Sequence, residues 1–161
     1  MSLNMTWRDQ YERMLRTRAR LLSMTSGYGD PYLTADGACD IFYHFCQDAY
    51  HMKDWLKNDP TVDSRDVEEF VNDSPCLRIV ADLANGIKHL RLTSSRTGDL
   101  STSVTRQSVR FIDRRDTGNL QSFAYDTWRV ESNGRQYDGH ELAGEVVERW
   151  RSWLEGKDLL S

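Results

Sequence analysis

The chain has 161 residues, a mass of 18.7 kDa and a formal net charge of −4. This length predicts one domain over residues 1–161, and 39% hydrophobic with 29% charged residues is typical of a soluble globular protein. No run approaches the roughly 18 apolar residues of a membrane span, and three cysteines without framework spacing argue against a disulfide scaffold. We therefore expect a protein of the reducing cytoplasm, with reduced and buried thiols and no membrane contact.

The charges are divided unevenly along the chain. Residues 4–22 carry five arginines and two acids, residues 36–73 carry ten acids and three bases, and residues 91–115 carry six arginines and two acids. Solvated faces of packed helices often differ in sign in this way. A second interpretation is a basic surface, on the first helix or the arginine-rich segment, that contacts phosphate groups. The overall negative charge disfavours sequence-independent binding of duplex nucleic acid but leaves a local RNA contact open.

Apolar residues recur at spacings of three and four residues through most of the chain, which predicts a mainly α protein. Leu21 and Leu22 are both assigned to the buried face of the first helix. Thr34 or Asp36 is predicted to cap the second helix, and Ser64 the third. The predicted helices form an antiparallel bundle of four to five helices and cover residues 5–23, 35–58, 63–73, 75–92 and 139–155.

The segment from Cys76 to Leu92 is apolar on most of its surface, so we expect it to be the central helix of the bundle. Its apolar face is predicted to run as far as Ile87. Gly86, in the helix interior, costs about 1 kcal/mol relative to alanine on propensity alone, which indicates a close approach by a backbone, a ligand or a subunit. One polar stripe crosses this helix and consists of Arg78, Asp82, Asn85 and His89.

A small antiparallel β-hairpin or meander is predicted at about residues 107–138, inserted before the last helix. Segments 109–112 and 120–131 have the composition and alternation of strands, and residues 116–119 would form a turn between them. Asn133–Gly134 is a strong hairpin signal, because both positions of such a turn require positive φ. A short returning strand follows it. An insert of this size needs helices to pack on.

The second helix carries a polar stripe opposite its apolar face. Imidazole and carboxylate groups one or two turns apart can converge on a metal ion, and His44, Asp48 and His51 provide such groups. Joined by His89, they would form the site of a metal-dependent hydrolase, which is one alternative. Their spacing differs from that of carboxylate-bridged metal bundles, and the preferred expectation is neither metal nor cofactor. The stripe consists of His44, Gln47, Asp48, His51 and Asp54, flanked by Tyr43 and Tyr50.

Near the end of the fourth predicted helix, Ala84-Asn85-Gly86-Ile87-Lys88-His89 resembles the Arg-Asn-x-x-x-His signature of the HEPN superfamily. Asn85 and His89 match at the signature's spacing, whereas Ala84 stands where the family has its arginine. The resemblance implies an antiparallel helical bundle and a homodimer with the motif at a shared cleft. Many members of the family are metal-independent RNases, and others are inactive RNA-binding or regulatory proteins.

Metal-free cleavage of RNA needs a base for the 2′-hydroxyl, an acid for the leaving oxygen and a cation for the charge that develops on the phosphate. His89 is the candidate base or acid, and Asn85 could orient the phosphate or the imidazole. His51 and Asp54 of the second helix are candidate partners for this chemistry. The cation is absent from its place, because Ala84 carries no charge.

The resemblance therefore implies a HEPN-like bundle that is an RNA-binding or regulatory protein without intact RNase machinery. Lys88 and Arg91 are the candidate RNA contacts, since both are cationic and close to the motif. Whether the chain is an enzyme stays open. The alternatives are a metal-independent endoribonuclease that uses His89 with a substitute cation, the metal-dependent hydrolase, and a non-enzymatic protein-interaction module. In a purely structural interpretation, Asp82 pairs with Arg78 and the histidines bond between helices.

Overall fold

The computed structural model describes residues 5–24, 35–89, 92–113 and 121–160, with side chains in the same ranges except at residues 35–36, 88–89, 109–113 and 121–125. It confirms a mainly α protein with a small antiparallel sheet before the last helix. The helices are α1 (Trp7–Ser23), α2 (Ala35–Lys57), α3 (Ser64–Asp73), α4 (Pro75–His89) and α5 (Gly139–Gly156), and the strands are β1 (Ser103–Asp113), β2 (Gln121–Ser132) and β3 (Arg135–Asp138).

Side-chain caps set the starts of the helices. α1 begins after a capping box formed by Thr6 and Asp9. α3 is capped by Asp63 and not, as predicted, by Ser64, because the Asp63 carboxylate accepts a hydrogen bond from the Arg65 N–H at 2.8 Å while Ser64 is already helical. The sequence pattern therefore placed this boundary one residue too late.

α2, and not α4, occupies the centre of the bundle. It packs against all four other helices, and Phe42, Phe45 and Leu56 on it are at most 1% exposed. The indole N–H of Trp150 in α5 donates to the carbonyl oxygen of Ala49 at 3.0 Å inside this interface. The sequence of α4 is apolar on most of the helix surface. One side of the helix is nevertheless covered by residues 95–97, which follow it in the chain, rather than by another helix.

Three residues depart from the predicted amphipathic pattern. Leu22 is 49% exposed and Ile87 is 41% exposed, although the helical spacing places both on apolar faces. Gln10 of α1, in contrast, is fully buried. Its amide nitrogen donates to the backbone carbonyl of Asp48 at 2.8 Å. A buried polar group with a partner of this kind costs little, so periodicity alone misassigns it.

α4 ends at His89, before the predicted end at Leu92. After the helix, Leu92 lies beside Gly86: a Cβ built on Gly86 would be 3.9 Å from Leu92 Cγ, which is an ordinary van der Waals distance, and no other described atom is as near. No described backbone therefore approaches Gly86 closely, and the approach of a ligand or a subunit there stays a prediction.

The sheet is antiparallel, with the strand order β1–β2–β3. β1 begins at Ser103, earlier than the predicted start near residue 107, because Val104 pairs with the buried Val130 of β2 and packs against the core. Asn133 and Gly134 have φ values of 51° and 69°, which confirms the predicted tight turn between β2 and β3.

The sheet meets the helices at Gly139, the first residue of α5. A Cβ at this position would lie 2.7 Å from Trp128 Cβ and 2.9 Å from Phe42 Cε2. These distances are too short for any side chain, so the close contact between β2 and the start of α5 requires glycine.

Two predictions fall outside the described residues, namely Thr34 as a cap and the turn at residues 116–119; Asp36, the other proposed cap, lies inside α2. Among the helices in the described ranges, none has both the length and the apolarity needed to cross a bilayer.

Candidate functional site

The centre of the polar stripe on α4 is a buried carboxylate. Asp82 is 1% exposed. Its Oδ2 accepts hydrogen bonds from the hydroxyls of Ser95 and Thr97, both at 2.6 Å, and from the Thr97 N–H at 3.1 Å. Its Oδ1 accepts from the Arg96 N–H at 2.7 Å. These four donors satisfy the charge, so Asp82 lies in a polar seam between α4 and the segment 95–97. The predicted pairing with Arg78 is wrong, because no ion pair joins the two described side chains.

Arg96 extends this seam to α2 and α3. Its guanidinium donates to Asn72 Oδ1 at 2.6 Å and to Glu68 Oε2 at 3.2 Å, and it lies 5.6 Å from the ring centroid of Tyr50. Lys57 donates to the other oxygen of Glu68 at 2.7 Å. One arginine from an irregular segment therefore connects three helices.

Lys53, Lys57 and Arg96 form a cluster of positive charges around Glu68 and change its pKa. Partial burial raises the pKa of this carboxyl, but hydrogen bonds and charges from Lys57, Lys53 and Arg96 outweigh it and lower the pKa to about 2. Glu68 is therefore ionised throughout the ordinary pH range. Since each of these groups already has a protein partner, we assign the cluster a structural role.

A cleft opens at the other end of the stripe, where α4 begins. Its volume is about 360 Å³ and its described lining contains two arginines, Arg78 and Arg135, but no carboxylate. The Nε of Arg78 is buried and has no hydrogen-bond partner among the described residues. The full lining is Pro75, Arg78, Ile79, Thr97, Ser132, Asn133, Arg135 and Tyr137.

The HEPN-like motif lies at the C-terminal half of α4. Ala84 is 5% exposed and belongs to the hydrophobic core, whereas Asn85 is half-buried. The side chains of Lys88 and His89 and the whole of Arg91 lie outside the described part of the chain. The catalytic assignment of His89 and the RNA contacts therefore stay predictions.

The polar stripe of α2 lies beside α1. Gln10 of α1 donates to the Asp48 backbone and, at 3.4 Å, to its carboxylate. Burial raises the pKa of the Asp48 carboxyl, and Gln10, Thr17, Arg13 and His51 oppose that rise. Four of the neighbours that act on Asp48 are thus on α1 or on α2 itself. A contact between this stripe and His89 stays a prediction, because the side chain of His89 lies outside the described residues.

The remaining candidates on α2 point to solvent. His44 and His51 are exposed, and so is Asp54, whose carboxylate pairs with Lys53 at 3.1 Å. Tyr50, which flanks the stripe, turns instead towards Lys53, whose amine lies 4.8 Å from its ring centroid. His51 and Asp54 therefore do not share one enclosed site with Asn85 in the described structure.

The proposed metal site includes His89, whose side chain lies outside the described residues. Within residues 5–24, 35–89, 92–113 and 121–160, no three His, Cys, Asp or Glu residues form a group that could hold an ion. None of the three cysteines forms a disulfide in the described structure; Cys46 and Cys76 are buried, as expected, and Cys39 is half-buried. Burial raises the pKa of the Cys46 thiol, and that of Cys76 to about 12, so neither is a ready nucleophile at neutral pH.

Sequence reasoning missed the cleft at the start of α4. Arg135 lies in the predicted returning strand, and Arg78 belongs to the polar stripe of α4 and to a predicted ion pair with Asp82. A signal was available: Asn133–Gly134 fixes the turn that carries Arg135, and Pro75 fixes the start of the helix that carries Arg78. What the sequence does not show is that the turn lies over the helix start.

Comparison of the chain with models of known protein families, with curated proteins and with solved structures gives no match. The fold and the site define a mainly helical protein with a three-stranded sheet, a buried carboxylate seam and an arginine-lined cleft. Its function has to be inferred from these residues and their contacts.

Proposed function

We propose that this protein is a non-catalytic, HEPN-like protein that binds single-stranded RNA or regulates an RNA-processing partner. The observation that carries the proposal is an arginine face on α1, formed by Arg13, Arg16 and Arg20, which lies next to the polar stripe of α2. Arg16 and Arg20 are exposed. Arg13 is anchored by a hydrogen bond to Gln10 Oε1 at 2.9 Å and lies 5.7 Å from the Trp55 ring centroid.

Electrostatics favours phosphate at this face. The three arginines repeat at spacings of three and four residues, which places them on one side of the helix. His51 of α2 is exposed and acts electrostatically on Asp48, the residue that Gln10 contacts. A row of guanidinium groups can follow a sugar–phosphate backbone without reading its sequence. Lys88 and Arg91 remain in the proposal as further phosphate contacts.

The non-catalytic part of the proposal depends on Ala84. The HEPN resemblance implies an arginine at this position, whose charge would stabilise the transition state. Ala84 is 5% exposed and packs in the core, so its surroundings favour an apolar group. Asp48, on which His51 acts electrostatically, is engaged with α1, which also argues against a preformed acid–base pair with His51.

We include a homodimer in the proposal. Ile87, two residues after Asn85, is 41% exposed on a helix that otherwise buries its apolar side chains. The HEPN resemblance implies a dimer with the motif at the shared cleft, and an exposed isoleucine within the motif is compatible with such a contact. Sedimentation velocity of the full chain should give a dimer, and the substitution Ile87→Asp should give a monomer that keeps its helical circular dichroism.

The central experiment measures binding of a fluorescent single-stranded RNA by anisotropy over a series of salt concentrations. The double variant Arg16→Gln/Arg20→Gln should weaken binding and reduce the slope of log K against log salt by roughly 0.7 for each arginine. Arg149→Gln, an exposed arginine on α5, is the matched control and should leave the slope closer to that of the wild type.

Two results would contradict the proposal. Equal RNA binding by the wild type and by the Arg16→Gln/Arg20→Gln variant would remove the role of the arginine face. Cleavage of the RNA by metal-free wild-type protein, abolished by His89→Ala, would show that the protein is an RNase and that a cation other than residue 84 completes its site.

A further inference from the structure

We propose that the cleft at the start of α4 is a phosphate-binding site, in which Arg78 and Arg135 hold a phosphate or phosphomonoester group. This site is separate from the arginine face of α1 and does not depend on RNA binding. It is formed where the turn between β2 and β3 lies over the first turns of α4.

The first argument concerns Arg78. A buried guanidinium N–H without an acceptor costs free energy, and a folded protein rarely leaves one unsatisfied. Arg78 Nε is in this state, as are Arg18 Nη1, Trp128 Nε1 and His140 Nδ1 among the described atoms. No described hydrogen bond engages the Arg78 side chain, which lines the cleft, and its fork of N–H groups can bind two phosphate oxygens there.

The second argument concerns charge. The described lining of the cleft has two arginines and no acid. Two guanidinium groups without a compensating carboxylate in the lining form a site for an anion rather than for a neutral ligand.

The third argument concerns the rigidity of the walls. Asn133 is held in place because its backbone N–H donates to Asp99 at 2.6 Å and its side-chain nitrogen donates to the Thr97 carbonyl at 3.0 Å. Ser132 is 2% exposed and its hydroxyl shares a hydrogen bond with Thr102 at 2.9 Å. The turn that presents Arg135 is therefore fixed before a ligand arrives, which lowers the entropic cost of binding.

Arg135 has one competing environment. It also borders a neighbouring cleft of about 200 Å³, whose lining includes Asp99 and Glu131. The Asp99 carboxylate is occupied by Ser101 and by the Asn133 N–H, and Glu131 accepts from Gln136 at 3.1 Å. No described ion pair joins either acid to Arg135, so its charge is available to the phosphate cleft.

The cleft is larger than a phosphate ion needs. Tyr137 and Ile79 add an aromatic and an aliphatic surface to its lining, and a phenol ring can stack on the base or pack on the sugar of a nucleotide. Two sources therefore share the same chemistry: free inorganic phosphate, and the terminal phosphate of a nucleotide.

The test uses the full chain and inorganic phosphate as the first probe, followed by a nucleoside 5′-monophosphate and by the matching nucleoside without phosphate. Binding is followed by isothermal titration and by the NMR signal of the Arg78 Nε–H. We expect phosphate to shift this signal, and Arg78→Gln and Arg135→Gln each to weaken phosphate binding by roughly tenfold, as the loss of a charged hydrogen bond predicts. The nucleoside without phosphate should not bind.

Arg129→Gln is the matched control. Arg129 is exposed on β2, pairs across the sheet with Thr105 and Asp138, and lies outside the lining. It removes the same charge and should leave phosphate affinity within a factor of about two, the scale of a screened surface charge. Tighter binding of the monophosphate than of phosphate, lost in Tyr137→Leu, would identify the nucleotide as the source, whereas equal binding would identify free phosphate.

The proposal is overturned if saturating phosphate leaves the Arg78 Nε–H signal unchanged, or if Arg129→Gln weakens phosphate binding as much as Arg78→Gln does. Circular dichroism and thermal melts of each variant separate loss of the site from loss of the fold. The RNA experiment varies Arg16 and Arg20, whereas this one varies Arg78 and Arg135. If one proposal fails, the other can therefore still be tested.

Discussion

The hydroxyl of Ser95 donates to the Asp82 carboxylate at 2.6 Å, across 13 residues of chain. This contact, with three others to the same carboxylate, attaches the irregular segment after α4 to the helix itself. Asp82, which the sequence places in a polar stripe, is thereby a buried acceptor for four hydrogen bonds. Substituting it should therefore lower the stability of the fold.

Asp82→Ala should lower the free energy of unfolding by about 3 kcal/mol, because it leaves several buried donors without an acceptor. Asp82→Asn keeps one carbonyl oxygen and should cost less, about 1 to 2 kcal/mol. Urea denaturation measures both values. Asp73→Ala, at an exposed position on α3, is the control; an equal loss in this variant would contradict the special role of Asp82.

Hydrogen exchange provides a second measurement on the same variant. If Asp82 anchors the segment after α4, the amides of Arg96 and Thr97, which donate to it in the native protein, should exchange faster in Asp82→Asn while the amides of α2 stay protected. Uniformly faster exchange throughout the chain would indicate global destabilisation instead.

Glu68 should make stability depend on acid pH. Its pKa is about 2 in the folded protein against a reference value of 4.5, so the folded state binds its proton less readily than the unfolded state. The stabilisation is therefore complete above about pH 4.5 and is lost as pH falls towards 2. Because the side chain is 30% exposed, solvent screening limits the effect to about 1 kcal/mol.

The measurement is the difference in unfolding free energy between the wild type and Glu68→Gln at several pH values. The difference should be constant near neutrality and shrink in the acid range. Glu148→Gln serves as the control, since Glu148 is 62% exposed and its described ion pair, with Arg151, lies within its own helix. A wild-type minus Glu68→Gln difference that does not change between pH 6 and the acid range would refute the electrostatic assignment.

Two glycines in helices should respond to alanine with opposite signs. Gly139→Ala would place a methyl group 2.7 Å from Trp128 Cβ and should destabilise the protein by about 2 kcal/mol through overpacking. Gly86→Ala meets only Leu92 at 3.9 Å and should stabilise it by up to about 1 kcal/mol through helix propensity. Thermal melts of the two variants test this directly. A destabilised Gly86→Ala variant would indicate that another group does approach Gly86 closely.

The three thiols should differ in reactivity. Cys46 and Cys76 are buried, and burial raises the pKa of both, so their thiolates are scarce at pH 8. Half-buried Cys39 should react first with a thiol reagent in the native protein, and the other two only on unfolding. Mass spectrometry of partly alkylated protein identifies the site, and a fast phase that persists in Cys39→Ser would contradict this order.

Much of the fold follows from local sequence signals. Phe42, Phe45 and Leu56 recur at helical spacing in α2 and lie in the core, and Asn133–Gly134 correctly gives the turn before β3. Such features depend on neighbours within a few residues. The exposure of Leu22 and Ile87 could not be predicted in this way. It depends on whether a distant segment of the chain covers each side chain.

The candidate site was less predictable, for the same physical reason. Asp82, Arg78 and Asn85 share a helical stripe, but their roles differ because different distant segments cover them: residues 95–97 cover Asp82 and the β2–β3 turn lies over the cleft with Arg78. The polar stripe on α2 alone does not identify Gln10 of α1 as a partner of Asp48. The roles of His89, Lys88 and Arg91 stay predictions.

The seam around Asp82 has a consequence for the order of folding. Its contacts close loops of 13 to 15 residues, whereas those from Asn133 to Asp99 and Thr97 close loops of 34 to 36. Shorter loops lose less chain entropy on closure. We therefore expect α4 and the segment after it to form one early kinetic unit, onto which the β2–β3 turn docks later, so that the arginine-lined cleft is among the last parts of the molecule to be completed.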